Sequence, residues 1–398
     1  MYLLAGEVQH YPWGSTSRIP RILGVEPTGE PCAEYWLGAH SSAPSPLVDA
    51  PAADLRELVA SHPEVLGRAS RDQFGDQLPF LLKILAASTP LSLQAHPSRA
   101  QAEAGFAAEN EAGVPLDSPQ RTYKDDWPKP EIIVALTPFH ALSGFRDPRC
   151  TAALFESLHV KSSLASIIGP LTERSPSAGI AEVFLDVLSL DAERRHLVDE
   201  VVAAAVEKLD EPGEVGLFAR TAVDLDEHYP GDPGILAALL MNRVRLNPGE
   251  ALFMPAGQMH AYLRGTGVEL MANSDNVLRG GLTKKHIDVD GLLQVVDFVA
   301  TDVDVLTSTG ADGLYRYDTP APEFALWWIE PISGRLDLPD SASARIALVT
   351  EGSLTLHGED ADLPLACGQA AFLAADEQVS VSGAGQMFLA ASGVGHDD

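Results

Sequence analysis

Two polar residues, Gln94 and His96, stand two positions apart in the otherwise apolar stretch LSLQAHPS at residues 91–98. Side chains alternate between the two faces of a β-strand, so these two would project from one face and the apolar residues from the other. Polar groups beside buried apolar sequence need partners, and a metal ion is a partner that an imidazole and an amide oxygen can share. The stretch therefore favours a metal site.

Two further segments offer ligands of suitable types. Glu131 follows Pro130 at the start of the strand-like EIIVAL, and His260 follows a Pro-Gly turn in GEALFMPAGQMH. Two imidazoles, one carboxylate and one amide oxygen would make a compact zinc site. Because Gln94 adds no negative charge, the bound ion would remain a good Lewis acid toward a substrate oxygen. The structural alternative for each side chain is an ordinary core or surface position.

The segment around His260 also resembles a cupin motif. From Gly249 its spacing is G-x5-P-x-G-x2-H, which is similar to the second motif of cupin jelly rolls and ends in their metal-binding His. Arg264 stands where cupins usually have an Asn, so the match is partial. A similar segment opens at Gly368, with Ala374 in place of the Pro and no His. The resemblance implies a second, degenerate copy without a metal ligand.

Strands interrupted by a block of helices would position these residues. Short apolar runs punctuated by Gly and Pro predict strands over 1–146, with one helix that begins at a capping box formed by Ser98 and Gln101. Apolar residues recur at helical spacing through 147–240, for example in LDAERRHLVDEVVAAAVEKL.

The sequence after the helical block returns to strands. We expect them over 241–300 in RVRLNPGEALFMPAG and GVELMAN, followed by a helix in KKHIDVDGLLQVVDFV. The last part, 301–398, alternates short strands in the manner of an all-β domain. The pattern as a whole predicts a mainly β fold with an α-helical insert.

Composition limits the location and the partners of the chain. No run among the 398 residues approaches the roughly 20 apolar residues of a membrane span, and MYLLAGEVQHYPWG lacks the basic start of a signal peptide. The net charge of −29 disfavours nucleic acid and anionic membranes as partners. Three widely separated cysteines without a CxxC pair favour a reducing cytoplasm.

Four motifs together resemble those of the type I phosphomannose isomerase family. They are YPWG near the N-terminus, LSLQAHP, KPE at 129–131, and PAGQMHAYLRGTGVELMANSDNVLRGGLTKK at 255–285. The last is the most specific of them. The resemblance implies a zinc-dependent aldose–ketose isomerase with one zinc ion per chain, which interconverts D-mannose 6-phosphate and D-fructose 6-phosphate through a cis-enediol.

The family fold is a pair of cupin-like β domains with a helical domain inserted. The resemblance therefore implies two cupin-like jelly-roll domains plus a helical domain. We expect a discontinuous catalytic β domain at 1–146 and 241–300, a helical insert at 147–240 and a degenerate cupin-like β domain at 301–398. Family members are commonly monomeric, and we expect a monomer here.

The resemblance also assigns roles to single residues. It implies that Gln94, His96, Glu131 and His260 are the zinc ligands and that Arg279 is the essential cation. The structural alternative for Arg279 is an ion pair with an aspartate four residues earlier.

Other positions match further pocket residues of the family. Those implied in catalysis, besides Arg279, are Lys129, Glu269, Asp275 and Lys285. Those implied in binding the substrate and its phosphate are Ser92, Lys83, Trp13 and Tyr262. Many relatives carry a His before the Lys of KPE, where this chain has Pro128. The general base stays open among Lys129, Glu269 and Lys285.

Other functions fit part of the pattern. An isomerase of a different sugar 6-phosphate would keep the same residues at the reacting end. A non-catalytic cupin that senses a sugar phosphate would be expected to lack Arg279 or a zinc ligand, and neither is missing. An iron-dependent oxygenase would favour two His and one carboxylate without Gln94 and without phosphate-binding cations. The resemblance, together with the composition, leads us to expect a cytoplasmic member of the type I phosphomannose isomerase family.

Overall fold

The computed structural model describes residues 1–160, 164–191, 193–331, 334–339 and 342–394. The first strands in the chain are β1 (Tyr2–Leu4), β2 (Glu7–Gln9), β3 (Glu34–Leu37), β4 (Leu47–Val48), β5 (Phe80–Ala87), β6 (Gln94–Ala95), β7 (Glu131–Ala135), β8 (Phe139–Phe145), β9 (Met241–Leu246), β10 (Glu250–Met254), β11 (His260–Ala272) and β12 (Leu278–Arg279). The later strands are β13 (Leu306–Thr307), β14 (Thr309–Ala311), β15 (Leu314–Tyr317), β16 (Ala325–Ile329), β17 (Leu336–Asp337), β18 (Arg345–His357), β19 (Asp362–Ala366), β20 (Ala370–Leu373) and β21 (Ser380–Ala391).

The helices divide into those before, within and after a central block. Those before it are α1 (Arg18–Ile22), α2 (Leu55–Ser61), α3 (Arg68–Phe74) and α4 (Arg99–Glu111), with a 3-10 helix at Pro63–Leu66. The block contains α5 (Pro148–Ser157), α6 (Leu164–Ile168), α7 (Pro170–Glu173), α8 (Pro176–Leu188), α9 (His196–Val206), α10 (Gly213–Asp226) and α11 (Gly234–Leu239). The helix after it is α12 (Val289–Val295). Among the described residues, no helix combines the length and hydropathy that a membrane crossing requires.

Strand β11 organises the first antiparallel sheet, which has eleven strands among the described residues. The C-terminal part of β11 pairs with β5 on one side and β7 on the other. Its N-terminal part pairs instead with β6 and β8. A bulge between Tyr262 and Arg264 lies in the pairing with β8. One strand therefore carries residues of the candidate site at both of its ends.

The register of this sheet places predicted site residues side by side. His260 lies opposite Gln94, and Gln94 lies opposite Arg279 on β12. Further along β11, Glu269 lies opposite Lys83 of β5. Residues opposite each other in an antiparallel pair project to the same face of the sheet. Two rows of polar side chains are thereby formed from segments far apart in the chain.

The second antiparallel sheet is built mainly from the C-terminal part of the chain. Its main strand order is β14-β15-β16-β21-β18-β20-β1-β4. Strands β1 and β4 come from the N-terminal part, and Tyr2 lies opposite Phe372. Apolar side chains of both sheets, among them Phe80, Val268 and Ile346, form one buried cluster. The mainly β fold with a helical insert is confirmed, while the domain boundaries given above stay a prediction.

The central helices pack behind strand β6. Helices α5 to α11 lie between β8 and β9 in the chain, whose ends pair at Phe145 and Met241. Their buried residues, such as Phe184 and Phe218, form one cluster with Leu93 and Ala95. The helices thus cover the apolar face of β6. The opposite face, which carries Gln94, is directed to the cavity that Gln94 lines.

The local predictions made from the sequence agree with the structure in part. Ser98 and Gln101 form the predicted capping box at the start of α4. The helix predicted in KKHIDVDGLLQVVDFV is shorter in the structure, because Asp288 caps its N-terminus and it covers only α12. Gly249 and Gly368 open β10 and β20 with φ angles of 86° and 84°, which agrees with a repeated turn that favours glycine.

Candidate metal centre and active-site cavity

His96, Glu131 and His260 meet in the interior, where their candidate ligand atoms all lie within 4.8 Å of one another. Nε2 of His96 lies 3.3 Å from Oε1 of Glu131, and Nε2 of His260 lies 3.4 Å from Oε2. All three side chains are buried. The His and Glu residues that the sequence singled out are therefore brought together.

The second nitrogen of each imidazole determines which nitrogen can bind a metal. Nδ1 of His96 lies 2.8 Å from the carbonyl oxygen of Asn276, and Nδ1 of His260 lies 3.0 Å from that of Gln258. A carbonyl oxygen only accepts, so each Nδ1 carries the proton and donates it. Each Nε2 then presents a lone pair to the carboxylate of Glu131. This orientation by a carbonyl acceptor is typical of metal-binding histidines.

Burial makes this arrangement unfavourable without a cation. Nε2 of His96 makes no hydrogen bond within the described part of the chain. Burial lowers the pKa of His96 to about 4, so the ring is neutral near pH 7. Two lone pairs and a carboxylate therefore converge in a dry interior with no proton between them. Nitrogen and carboxylate donors of this kind suit zinc, and the residues present fit that ion.

Gln94 stands beside this cluster in the sheet. It lies directly opposite His260 and is half-buried, and its side chain lines a cavity. Since opposed residues project to one face, its amide is on the same face as the imidazole of His260. The structure thus places a neutral amide on the face of the sheet that carries His260, and its role as a fourth ligand stays a prediction.

Lys129 contacts the carboxylate of the cluster. Its Nζ lies 2.9 Å from Oε1 of Glu131. Burial raises the pKa of Glu131, but the charge of Lys129, together with the neighbouring imidazoles, outweighs it and holds that pKa well below the ordinary range. The carboxylate is therefore ionised. Lys129 also lines the cavity, so it lies between the cluster and the solvent.

A cavity of about 670 Å³ lies beside the cluster, with Gln94 and Lys129 in its wall. Arg279, Lys284 and Lys285 line it, and none of the three has a carboxylate partner within the described ranges of the chain. Burial lowers the pKa of Arg279, and burial together with the charge of Arg279 lowers the pKa of Lys285. Three cations that line one cavity without a described carboxylate partner, in a chain of net charge −29, are a site for an anion. The alternative ion pair of Arg279 with Asp275 is not formed.

Lys83 is buried at the wall of the same cavity. Its Nζ lies 3.0 Å from Oε2 of Glu269 and 3.5 Å from Oε1 of Glu34. Burial opposes its charge, but these carboxylates raise the pKa of Lys83 above its ordinary value. The ammonium group that the resemblance implied in binding the phosphate is thus already paired with two carboxylates.

The remaining predicted residues lie around this centre. Ser92 and Trp13 line the cavity. Tyr262 is buried, and burial with the nearby charge of Glu269 raises its pKa well above 10. Its hydroxyl therefore keeps its proton and cannot act as a phenolate base near pH 7.

Three residues of the site were missed from the sequence. Glu34 and His40 line the cavity, and the carbonyl of Asn276 orients His96. Asn276 lies within the motif SDNVLRGG, which gave the one available signal. Glu34 and His40 follow short apolar runs that carry no spacing typical of a site.

Comparison with known proteins gives one consistent result. The family model for phosphomannose isomerase type I, catalytic domain, matches residues 1–148. The mannose-6-phosphate isomerase of Escherichia coli (strain K12) is 36% identical over 394 residues, which cover 97% of this chain and 98% of that protein. The mannose-6-phosphate isomerase of Salmonella typhimurium shows the same identity and coverage.

A solved structure agrees with the sequence comparison. The crystal structure of mannose 6-phosphate isomerase from Salmonella typhimurium bound to substrate and a zinc atom has a TM-score of 0.89 to this chain. The two are 33% identical in sequence, and the match covers 98% of this chain and 99% of the other. Because the similarity extends over nearly the whole of each chain, this chain belongs to the type I phosphomannose isomerase family.

Proposed function

We propose that this chain is a zinc-dependent aldose–ketose isomerase that interconverts D-mannose 6-phosphate and D-fructose 6-phosphate. The observation that carries the proposal is the convergence of two imidazole lone pairs and one carboxylate beside a cavity with unpaired cations. The first feature suits a divalent metal, and the second suits the phosphate of a sugar phosphate. Membership of the family connects the two features to one reaction.

The metal would be held by Gln94, His96, Glu131 and His260. Zinc bound there supplies a Lewis acid that stabilises negative charge on oxygens of the substrate. Lys129, through its contact with Glu131, keeps that ligand ionised. Asn276, through its carbonyl, keeps Nε2 of His96 free of a proton.

Arg279 would stabilise the charge that develops during the reaction. Isomerisation moves a proton from C2 to C1, and negative charge grows on O1 and O2 in the cis-enediol. Arg279 lies opposite Gln94 and so is near the metal ligands. A fixed, partly desolvated cation at this place stabilises the transition state more than the ground state.

The phosphate would lie farther from the metal, near Lys285. This residue follows Arg279 at the cavity wall and has no carboxylate partner within the described ranges. The hydroxyl of Ser92 lines the same cavity and can add a donor. The two carboxylates around Lys83 make its ammonium a weaker candidate for the phosphate than Lys285.

Asp275 is our candidate for the group that accepts the proton from C2. Two of the predicted bases are in ion pairs, Lys129 with Glu131 and Glu269 with Lys83. Asp275 lines the cavity, and its side chain is 51% exposed there. Burial raises its pKa, but the contact with His40 and nearby positive charges lower it overall, so the carboxylate is ionised near pH 7.

We also infer that the chain acts as a monomer in the cytoplasm. Its cysteines Cys32, Cys150 and Cys367 are all free, which agrees with a reducing compartment. Sedimentation velocity at micromolar concentration and fractionation of the producing cells test these two points. A dimer in solution, or recovery of the protein outside the cytoplasm, would contradict them.

The test of the function is turnover of mannose 6-phosphate to fructose 6-phosphate before chelation, after chelation and after zinc is added back. We expect activity to disappear with the metal and to return with zinc. Glucose 6-phosphate serves as the control substrate, because it differs from mannose 6-phosphate only at C2. Absence of turnover with one zinc ion bound per chain would refute the proposed substrate and leave the metal site.

A further inference from the structure

We propose that His40 is a positioning residue that holds the carboxylate of Asp275 in the orientation needed for proton transfer. This inference rests on the proposed function, and it assigns a role to a histidine that the sequence did not single out. Nε2 of His40 lies 3.3 Å from Oδ2 of Asp275, and both residues line the cavity.

The tautomer of His40 follows from its other neighbours. The backbone N–H of Ser42 points to Nδ1 of His40 at 3.2 Å, and Oγ of Ser42 lies 2.8 Å from the same nitrogen. A backbone N–H can only donate, so Nδ1 is the acceptor and the ring proton is on Nε2. Nε2 is also the ring nitrogen that lies 3.3 Å from Oδ2 of Asp275. His40 therefore serves as a neutral donor, with no change of charge needed.

His40 is itself held in place. The residue is 4% exposed, and its ring packs edge-on against Trp36, with centroids 4.7 Å apart. Nε1 of Trp36 donates a hydrogen bond to Glu34 at 2.8 Å. The imidazole thus has little freedom to turn, which is the property that a positioning residue requires.

The backbone of Asp275 is fixed from the opposite side. Its N–H donates to Oδ2 of Asp125 at 2.9 Å, and Oδ1 of Asp125 accepts from the hydroxyl of Ser274 at 2.8 Å. Asp125 also accepts from Nδ2 of Asn276 at 3.0 Å. These hydrogen bonds anchor the main chain of Asp275. Its side chain is held by the contact with His40.

The charged groups around Asp275 do not account for the orientation of its carboxylate, so we assign this role to a neutral donor. Lys83 and Lys129 are the cations that act on its carboxylate, and both have their own carboxylate partners. Asp125 on the other side is acidic. A neutral N–H from His40 orients the carboxylate without forming another ion pair that the substrate would have to displace.

Two variants test the proposal. His40→Ala removes the donor, and His40→Gln keeps an N–H at a similar distance from the backbone. We expect His40→Ala to lower kcat about 10- to 100-fold, the loss of one hydrogen bond to a charged group, with little change in KM. The Gln variant should recover most of the loss. Both should keep one zinc ion per chain, because His40 is not a ligand.

A double-mutant cycle and crystal structures distinguish positioning from a general structural effect. Asp275→Ala should lower kcat strongly, and adding His40→Ala to it should cost little more. Crystal structures of the wild type and His40→Ala should show the Asp275 carboxylate turned away from the cavity in the variant alone. An unchanged carboxylate with unchanged kcat, or full additivity in the cycle, would overturn the proposal.

The design separates this inference from the proposed function. If the wild type does not turn over mannose 6-phosphate, the proposed function fails, and the pair of crystal structures still decides whether His40 positions Asp275. If the wild type is active and His40→Ala is equally active, only the inference about His40 fails.

Discussion

Nζ of Lys83 lies 3.0 Å from Oε2 of Glu269, and both side chains are buried across two neighbouring strands. A second buried carboxylate, that of Glu34, lies 3.5 Å from the same ammonium. A lysine that offsets two buried carboxylates is needed for stability, whatever it does for a substrate. The family resemblance implied that Lys83 helps to bind the phosphate, whereas this contact indicates a role in stability that can be tested.

Replacing Lys83 by Met should destabilise the fold by about 3–5 kcal/mol, because it leaves two carboxylates buried without a cation. Urea unfolding measures this change. The double variant Lys83→Met with Glu269→Gln should recover part of the loss. If instead the Met variant keeps full stability and binds mannose 6-phosphate more weakly, the assignment of Lys83 to the phosphate is supported.

The pH dependence of the Lys83→Met variant has a definite sign. Burial already raises the folded-state pKa of the Glu269 carboxyl, and loss of the Lys83 charge, which lowers it, would raise it further above the unfolded value. Such groups favour the fold at low pH, and this stability is lost as the pH rises through the raised values. The deficit relative to wild type should therefore be larger at pH 8 than at pH 5. Equal deficits at both pH values would contradict the explanation.

Removal of single zinc ligands should lower metal content and activity in parallel. We expect His260→Ala and Gln94→Leu each to weaken zinc binding by at least about 10-fold, as measured by metal analysis after dialysis. His140→Ala is the matched control, since His140 lies on the adjacent strand β8 and outside the cluster. Full zinc occupancy in the Gln94→Leu variant would remove Gln94 from the ligand set.

Arg279 should affect turnover without affecting the metal. The Arg279→Ala variant is expected to keep one zinc ion per chain and to lose about 100- to 1,000-fold in kcat, the usual effect of removing a group that stabilises transition-state charge. Arg279→Lys keeps a charge at shorter reach and should retain more activity. Retained turnover in the Ala variant would refute the proposed role.

Lys284 and Lys285 form a matched pair for testing the phosphate site. Both line the cavity, and burial together with the charge of Arg279 lowers the pKa of Lys285. We expect Lys285→Ala to raise KM for mannose 6-phosphate and the inhibition constant of inorganic phosphate, each about 10-fold, with Lys284→Ala much closer to wild type. A larger effect of Lys284→Ala than of Lys285→Ala on these two constants would indicate that Lys284 binds the phosphate instead.

Much of the site could be predicted because its chemistry is concentrated in short motifs. The period of a strand places Gln94 on the face away from Leu93, and a fixed turn precedes His260. The capping box at Ser98 is a local signal, and it was confirmed. These inferences concern residues close together in the chain, where geometry follows directly from the backbone.

The missed residues depend on contacts between distant segments. His96 meets the carbonyl of Asn276 only because β6 pairs with β12, and His40 meets Asp275 from the other end of the chain. No local pattern determines which strands become neighbours. The helix predicted from residue 284 was too long for a local reason. Its apolar pattern does not reveal that Asp288 caps the helix, so that the helix begins only at Val289.

The pairing of β1 with β20 has a consequence for synthesis on the ribosome. Leu4 is 2% exposed in the finished molecule, and its neighbour Ala370 emerges only when nearly all of the chain has been translated. Until then the N-terminal segment can pair only with the short strand β4, and the edge that β20 covers stays open. The second sheet must therefore be completed at the end of translation, and chaperones that hold nascent chains have most of the translation time in which to bind this segment.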